Sequence, residues 1–248
     1  MIELKNANQF KRMRKAGKIV ADTLALMRDA AKPGITTLEL DRMAEDYIRA
    51  QGAIPAFKGY NGFPATLCTS VNEQVVHGFP SLRSLESGDI ISIDCGAVID
   101  GYFGDSAVTL PIGEVTEDLL KLLKVTEESL MLGIAQAKVG NRLYDVSHAV
   151  QTHVEKHGFS VVRDYVGHGI GRAMHEDPQI PNFGKPGRGP RLEVGMALAI
   201  EPMVNMGTYE VLTLKDHWTV VTKDKKPSAH FEHTVALTEN GLEILTRS

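Results

Sequence analysis

Asp89-Ile90-Ile91-Ser92-Ile93-Asp94-Cys95-Gly96-Ala97-Val98-Ile99 runs into Asp100-Gly101 and out through Tyr102-Phe103-Gly104-Asp105-Ser106-Ala107-Val108-Thr109-Leu110. Both flanks are apolar and rich in β-branched residues, which suits buried strands. Asp-Gly between them is a strong two-residue hairpin signal, because the tight turn needs left-handed backbone at both positions. Such a turn pairs residue i with residue 201 − i, so Asp94 stands opposite Ala107 and Asp105 opposite Gly96. Paired residues share a face, and so do residues two apart; Asp94 and Asp105 are then diagonal neighbours with backbones about 7–8 Å apart. One extra bulge residue would place them on opposite faces. Two ionised carboxylates in apolar strands repel and lose hydration. A shared proton relieves that, and so does a divalent cation. Two solvated aspartates near a turn are the plainer alternative, disfavoured by the flanking Ile93 and Cys95.

Outward from the hairpin, helical spacing of Phe10, Met13, Ala16, Ile19, Val20, Leu24 and Met27 predicts a helix over 7–31, ended by Lys32-Pro33-Gly34. Thr36-Thr37-Leu38-Glu39 predicts the N-cap of a second helix, about 37–51, closed by Gly52. The pattern restarts after the hairpin. A helical stretch over 116–138, with Leu119, Leu120, Leu123, Leu130 and Leu132, breaks at Val139-Gly140-Asn141. Another helix follows to about His157, before Gly158. A shift of 106 residues aligns Gly34 with Gly140, Leu40 with Val146, Ile48 with Val154 and Gly52 with Gly158. We read a weak internal repeat, with halves of about 1–115 and 116–248. No linker separates them, so 1–248 is expected to be one α+β domain.

Beyond residue 159 the chain is strand- and loop-rich, with Pro178, Pro181, Pro186 and Pro190 marking one long loop. His168 lies in Gly167-His168-Gly169-Ile170-Gly171, where glycines allow close approach of a ligand; His175 follows. The glycine spacing is not a dinucleotide fingerprint. His148, His153 and His157 sit on the 144–157 helix and are expected to be structural. Met196–Ile200 reads as a strand ending in Glu201-Pro202, Trp218–Thr222 as another, and Ala229–Leu237 as a third with Glu232 in its interior. A glutamate inside an apolar strand needs a partner. Asp94, Asp105, Glu201 and Glu232 offer four negative charges and His168 one imidazole. Two divalent ions would neutralise them, and mostly oxygen donors with one nitrogen suit Mn, Fe, Co or Zn.

The composition sets bounds. The 248 residues include 43% hydrophobic and 23% charged side chains, ordinary for a globular protein. Lys and Arg number 27 against 31 Asp and Glu, a net charge of −4 that gives no footprint for DNA or RNA. Cys68 and Cys95 make no disulfide framework and suit a reducing compartment. With no apolar signal core and no run of about 20 apolar residues, the cytoplasm is the expected location.

At Val75-Val76-His77-Gly78-Phe79-Pro80, Ser92-Ile93-Asp94, Asp100–Ser106, Gly167–Gly171, His175-Glu176-Asp177-Pro178, Ile200-Glu201-Pro202 and Phe231-Glu232-His233-Thr234 the chain resembles the type I methionine aminopeptidases. The resemblance covers nearly the whole chain. It implies the creatinase-like pita-bread fold, two helix–helix–strand halves related by a pseudo-two-fold around a curved antiparallel sheet. It implies removal of initiator methionine when the second residue is small and uncharged, with two divalent ions (Co, Mn, Fe or Zn) as cofactors. Asp94 would chelate one metal, Asp105 and Glu232 would bridge, and His168 and Glu201 would complete the other site. A bridging hydroxide would attack, with Glu201 shuttling its proton. His175 would bind the scissile carbonyl or the developing oxyanion, and His77 would contact the substrate nearby. Tyr60, Phe63, Cys68, His77, His175 and Trp218 would bind substrate. The partner implied is a peptide or nascent-chain N-terminus, with the chain a monomer and ribosome docking left open. No membrane or specific nucleic-acid partner is expected. Asn61 stands where some members have His, Met174 where Phe is common, and His230 where Gln is frequent. The spacing leaves no room for the type II insertion, and no N-terminal zinc-finger extension is expected.

Two relatives and one unrelated chemistry compete. An Xaa-Pro aminopeptidase or prolidase would share this core but usually carries a large N-terminal domain. A non-catalytic binding protein on ribosomes or RNA would be expected to have lost metal ligands. A cysteine or serine hydrolase using Cys68 lacks a G-x-S-x-G elbow and a base nearby in sequence.

Overall fold

Asp100 and Gly101 take φ values of 53° and 75°, so the turn has the left-handed geometry that a two-residue hairpin requires. The structure, a computed structural model, describes residues 1–247. Strand β4 (Ile90–Ile99) pairs with β5 (Tyr102–Pro111) without a bulge, Asp94 opposite Ala107 and Asp105 opposite Gly96. Before them come α1 (Ala7–Ala30), α2 (Thr37–Ala50), β1 (Ile54–Pro55), β2 (Leu67–Val71) and β3 (Gln74–Val76). After them come α3 (Glu117–Gln136) and α4 (Leu143–Lys156). The second strand region holds β6 (Ser160–Val161), β7 (Gly167–Gly169), β8 (Glu176–Ile180), β9 (Ala197–Ile200) and β10 (Met203–Asn205). It continues with β11 (Val211–Thr213), β12 (Val220–Thr222), β13 (Ser228–His230), β14 (His233–Thr238) and β15 (Gly241–Ile244). Every ladder is antiparallel.

The helices form where the sequence predicts. Thr36 and Glu39 make the reciprocal capping box at the start of α2, and Asn6 with Gln9 does the same for α1. All seven apolar positions that predict α1 are buried. The helix lies against β5 at a point where neither side has a Cβ. A Cβ on Gly104 would sit 2.8 Å from the Gly17 nitrogen, so the helix–strand contact is backbone on backbone. Helix α3 departs from its leucine pattern. Leu120 and Leu132 are exposed, and the buried stripe is Leu122, Leu123, Leu130 and Ile134, because the spacing of the exposed pair leaves the core-facing side. The Asp41 carboxylate on α2 accepts from the Thr66 and Leu67 N–H groups at 2.9 and 2.8 Å, which fixes the entry to β2. No helix among the described residues is long and apolar enough to cross a membrane.

Three strand expectations change. Pro178 does not open a long loop; it lies in β8, the edge strand of the sheet β15-β14-β9-β7-β8, where a residue without N–H is tolerated. Trp218 precedes its strand, because its N–H and that of Thr219 are held by the Asp216 carboxylate in a turn. Glu232 is not inside a continuous strand. β13 pairs with β10, then β14 pairs with β9, and Phe231-Glu232 is the break between them. Both pairings keep one register, residue i with 433 − i, so Glu201 faces Glu232 across the interruption. Pro202 has no N–H to continue the ladder there, and the Glu232 N–H turns instead to the Ala107 carbonyl at 3.0 Å.

Candidate functional site

Two antiparallel ribbons meet at this interruption. The β4–β5 hairpin carries Asp94 and Asp105; the paired β9–β10 and β13–β14 segments carry Glu201 and Glu232. They are stitched together by backbone and hydroxyl contacts. Thr234 Oγ1 donates to the Asp105 carbonyl at 2.7 Å and accepts from the Asp105 N–H at 3.1 Å. Ser106 Oγ donates to the Glu232 carbonyl at 2.5 Å. Strand β7 adds His168, paired in register with Ala199 of β9. The result is a cleft of about 210 Å³ lined by every residue singled out from sequence: Asp94, Asp105, His168, Glu201 and Glu232 at the floor, and Tyr60, Phe63, Cys68, His77, His175 and Trp218 around them.

The floor is short of positive charge. His168 Nδ1 lies 2.9 Å from the Gly169 carbonyl, which can only accept, so Nδ1 carries the proton. The other nitrogen, Nε2, therefore presents a lone pair to Asp105 Oδ2 at 3.8 Å and Glu201 Oε1 at 3.5 Å. A lone pair facing two carboxylate oxygens is repulsive unless a proton or a cation lies between them. Burial pushes the Asp105 carboxyl up to about 7. Burial, and then the neighbouring carboxylates, push Asp94, Glu201 and Glu232 well above their ordinary range. Desolvation lowers His168 to about 4, which leaves it neutral and able to act as a ligand. Asp94 Oδ1, Asp105 Oδ1 and Glu232 Oε1 are buried without any hydrogen-bond partner. Asp105, His168 and Glu232 bring one donor atom each within 4.8 Å of one another, as do Glu201, His230 and Glu232.

The rim is aromatic and neutral. Phe63 packs on Trp218 and Phe79 with ring centroids 5.2 and 5.4 Å apart. His77 holds a left-handed backbone, φ 60°, stands edge-on to Trp218, and is lowered to about 4 by desolvation. His175 is exposed at the mouth, with Nδ1 2.8 Å from the Tyr60 hydroxyl and its ring over His168 at 4.3 Å between centroids. Cys68 is buried and its thiol pushed well up by burial and by Asp94 and Asp105, the opposite of an activated nucleophile. Three lining or adjoining residues received no role from sequence. Phe57 comes from a loop without periodicity. Asn61, noted only as a departure, lines the mouth with φ 49°. His230 is 1% exposed, with Nε2 3.4 Å from Glu201 Oε2. Its position two before Glu232 was the available signal for placing it on the same face. His148 and His153 line a separate surface groove on α4.

A family model, "Metallopeptidase family M24", matches residues 11–239. The chain belongs to metallopeptidase family M24. Like other M24 metallopeptidases it is a metal-dependent peptide hydrolase. A methionine aminopeptidase of Clostridium acetobutylicum is 59% identical over 247 residues, covering 99% of both chains. A methionine aminopeptidase structure from Thermotoga maritima superimposes with a TM-score of 0.98 at 49% identity over the whole of both chains. A Pyrococcus furiosus prolidase, 23% identical with a TM-score of 0.77, shares the pita-bread fold and is covered over 65% of its length. The M24 assignment calls for divalent metal, and the floor fits one on its own chemistry. It has hard oxygen donors without hydrogen-bond partners, one imidazole with its lone pair aimed inward, and four buried carboxyls that need neutralising.

Proposed function

We propose that this protein removes the N-terminal methionine of nascent proteins and peptides, preferring a small, uncharged second residue. The observation that supports it most is the union, in one cleft, of the carboxylate–imidazole floor with a wall of Tyr60, Phe63, Cys68, His77 and Trp218. Aromatic and sulfur surfaces favour a thioether side chain. The preference at the second residue follows the likeness to methionine aminopeptidases. Asp94, Asp105 and Glu232 would hold one divalent ion and Asp105, Glu232, His168 and Glu201 another, with Co, Mn, Fe and Zn all compatible. When bound, such a pair polarises a scissile carbonyl and acidifies the attacking water.

The side chains supply the rest. With Tyr60 donating to Nδ1, His175 carries its proton on Nε2 and donates it to the carbonyl oxygen as negative charge builds. Desolvation lowers the His175 imidazole, so it acts as a neutral donor. Neutral His77 contacts the peptide beside the cleaved bond without repelling the new N-terminal ammonium. Glu201 takes the proton of the attacking water and passes it to the leaving amine. We infer that the chain acts as a single catalytic domain and a monomer in the cytoplasm, consistent with two buried free thiols. The test is cleavage of Met-Ala-Ser against an Xaa-Pro peptide after chelation and re-addition of single metals. Restored release of methionine supports the proposal; preference for the Xaa-Pro peptide, or metal-independent turnover, overturns it.

A further inference from the structure

Outside the cleft the N-terminal segment carries a buried charge that the reaction does not use. The Lys5 side chain is 2% exposed and its partner Glu176 11%. Lys5 Nζ is ion-paired to Glu176 Oε2 and also donates to the Glu3 carbonyl at 2.9 Å. The other oxygen of Glu176 accepts from the Arg172 and Ala173 N–H groups at 2.7 and 3.1 Å. Glu176 thus closes the turn 171–176, and the residue next to it is His175. The backbone of Lys5 is fixed elsewhere. Its N–H donates to the Gly195 carbonyl at 2.7 Å, and the Gly195 N–H donates to the Leu237 carbonyl of β14 at 2.8 Å. Lys5 therefore ties the ribbon that carries Glu201 and Glu232 to the turn that carries His175.

The last glycine of Gly167–Gly171 has its explanation here. A Cβ on Gly171 would lie 2.4 Å from Lys5 Cε and 2.8 Å from Glu176 Oε1, so a larger residue would have to displace the tips of the pair. The Gly171 carbonyl in turn accepts from the Phe103 N–H of β5 at 2.9 Å, which ties the turn to the Asp105 strand.

We propose that the Lys5–Glu176 pair is a positioning device for His175, fixing its imidazole relative to the carboxylate floor. His175 is exposed, and among the described residues the one side chain hydrogen-bonded to it is Tyr60, at the start of a single 3-10 turn over Tyr60–Gly62. Its location over His168 depends on the backbone of its turn, which the buried pair clamps. The proposal rests on the role given to His175 above.

The experiment pairs Lys5→Met with Glu176→Gln, which removes the ion pair but keeps an acceptor for Arg172 and Ala173 and leaves no unpaired buried charge. Expected is a fall in kcat of about ten- to a hundred-fold, as for a reacting group displaced by a fraction of an ångström to an ångström. KM and divalent-ion affinity by calorimetry should change little. In a His175→Ala background the same pair of substitutions should cause no further loss, because the two act through one group. Nitrogen-15 NMR of the His175 ring in metal-free protein should shift toward a solvent-averaged imidazole. Glu176→Gln alone, nearly isosteric, serves as the second variant; it leaves the Lys5 ammonium buried without its counter-ion and should give at least as large a loss in the same direction. Unchanged kcat, an equal loss without His175, or an unmoved ring signal would each overturn the proposal. Should the unaltered protein fail to cleave methionyl peptides, the functional reading falls, while the NMR result still decides the clamp.

Discussion

The two ribbons that floor the cleft reach the same chemistry by different routes. The first is local: a two-residue turn joins β4 to β5, the ladder is unbroken, and alternation alone brings Asp94 and Asp105 to one face. The second is assembled from strands far apart in the chain, and its ladder is interrupted where Glu201 and Glu232 face each other. An unbroken strand would send successive side chains to opposite faces at fixed spacing. The interruption frees two glutamates from that constraint and lets the Glu232 N–H dock on the first ribbon at Ala107. The lesson is that an intact hairpin offers a rigid pair of donors, whereas a broken ladder aims donors at a partner that already exists.

The two ribbons are tested most directly by removing one carboxylate from each. Asp105→Ala and Glu232→Ala should both abolish activity and lower metal occupancy measured on the folded protein, while circular dichroism stays native. Full activity in either variant would show that its ribbon is not part of the centre. Next in size, His175→Ala should lower kcat by about 10²–10³, the range for a lost oxyanion donor, with metal content unchanged. Metal loss there would place His175 among the ligands instead.

A third prediction concerns pH. The four carboxyls have folded-state pKa values raised by burial, Asp105 from 3.8 to about 7 and the others well up. Each contributes stability that is full below its unfolded pKa and is lost as pH rises through the folded value. The histidines run oppositely: His77 and His168 fall from 6.5 to about 4 and His230 to about 3, so their contribution is lost as pH falls below 6.5. Between pH 6.5 and the ordinary thiol range, above which the raised Cys68 and Cys95 add their own dependence, the carboxyls of the floor set the slope. Metal-free protein should lose about 1.4 kcal/mol per pH unit for each carboxyl still protonated. Metal-loaded protein should not. Chemical denaturation of both forms at a series of pH values decides it, and equal slopes would mean that the floor does not hold the cation. Smallest of all, Cys68→Ala should raise KM a few-fold through lost contact with the methionine side chain and keep most of kcat; complete loss of turnover would restore a thiol mechanism.

Much of this was legible in the chain itself, unevenly. The hairpin register, the Thr36–Glu39 capping box and the limits of all four helices follow from rules acting over a few residues, and the structure keeps them to within about two residues. Glu232 was identified as a buried acid in need of a partner, but its break in the ladder was not, because nothing in Phe231-Glu232 announces that the strand changes sheets. Pro202 was the local hint. Phe57 and His230 were given no role, the first because loop aromatics have no period, the second because its significance depends on Glu201, 29 residues away in sequence.

Local pattern names the donors: which carboxylates and imidazoles lie in apolar surroundings, and that the first two share a face when the hairpin has no bulge. Short-range sterics and strand alternation settle that without reference to the rest of the molecule. Long-range packing sets the rest: that the second ribbon is interrupted opposite the first, that His168 turns a bare lone pair toward the acids, and that Lys5 reaches Glu176, 171 residues further along the chain. Those outcomes depend on which distant backbone groups find partners, and no local pattern encodes that.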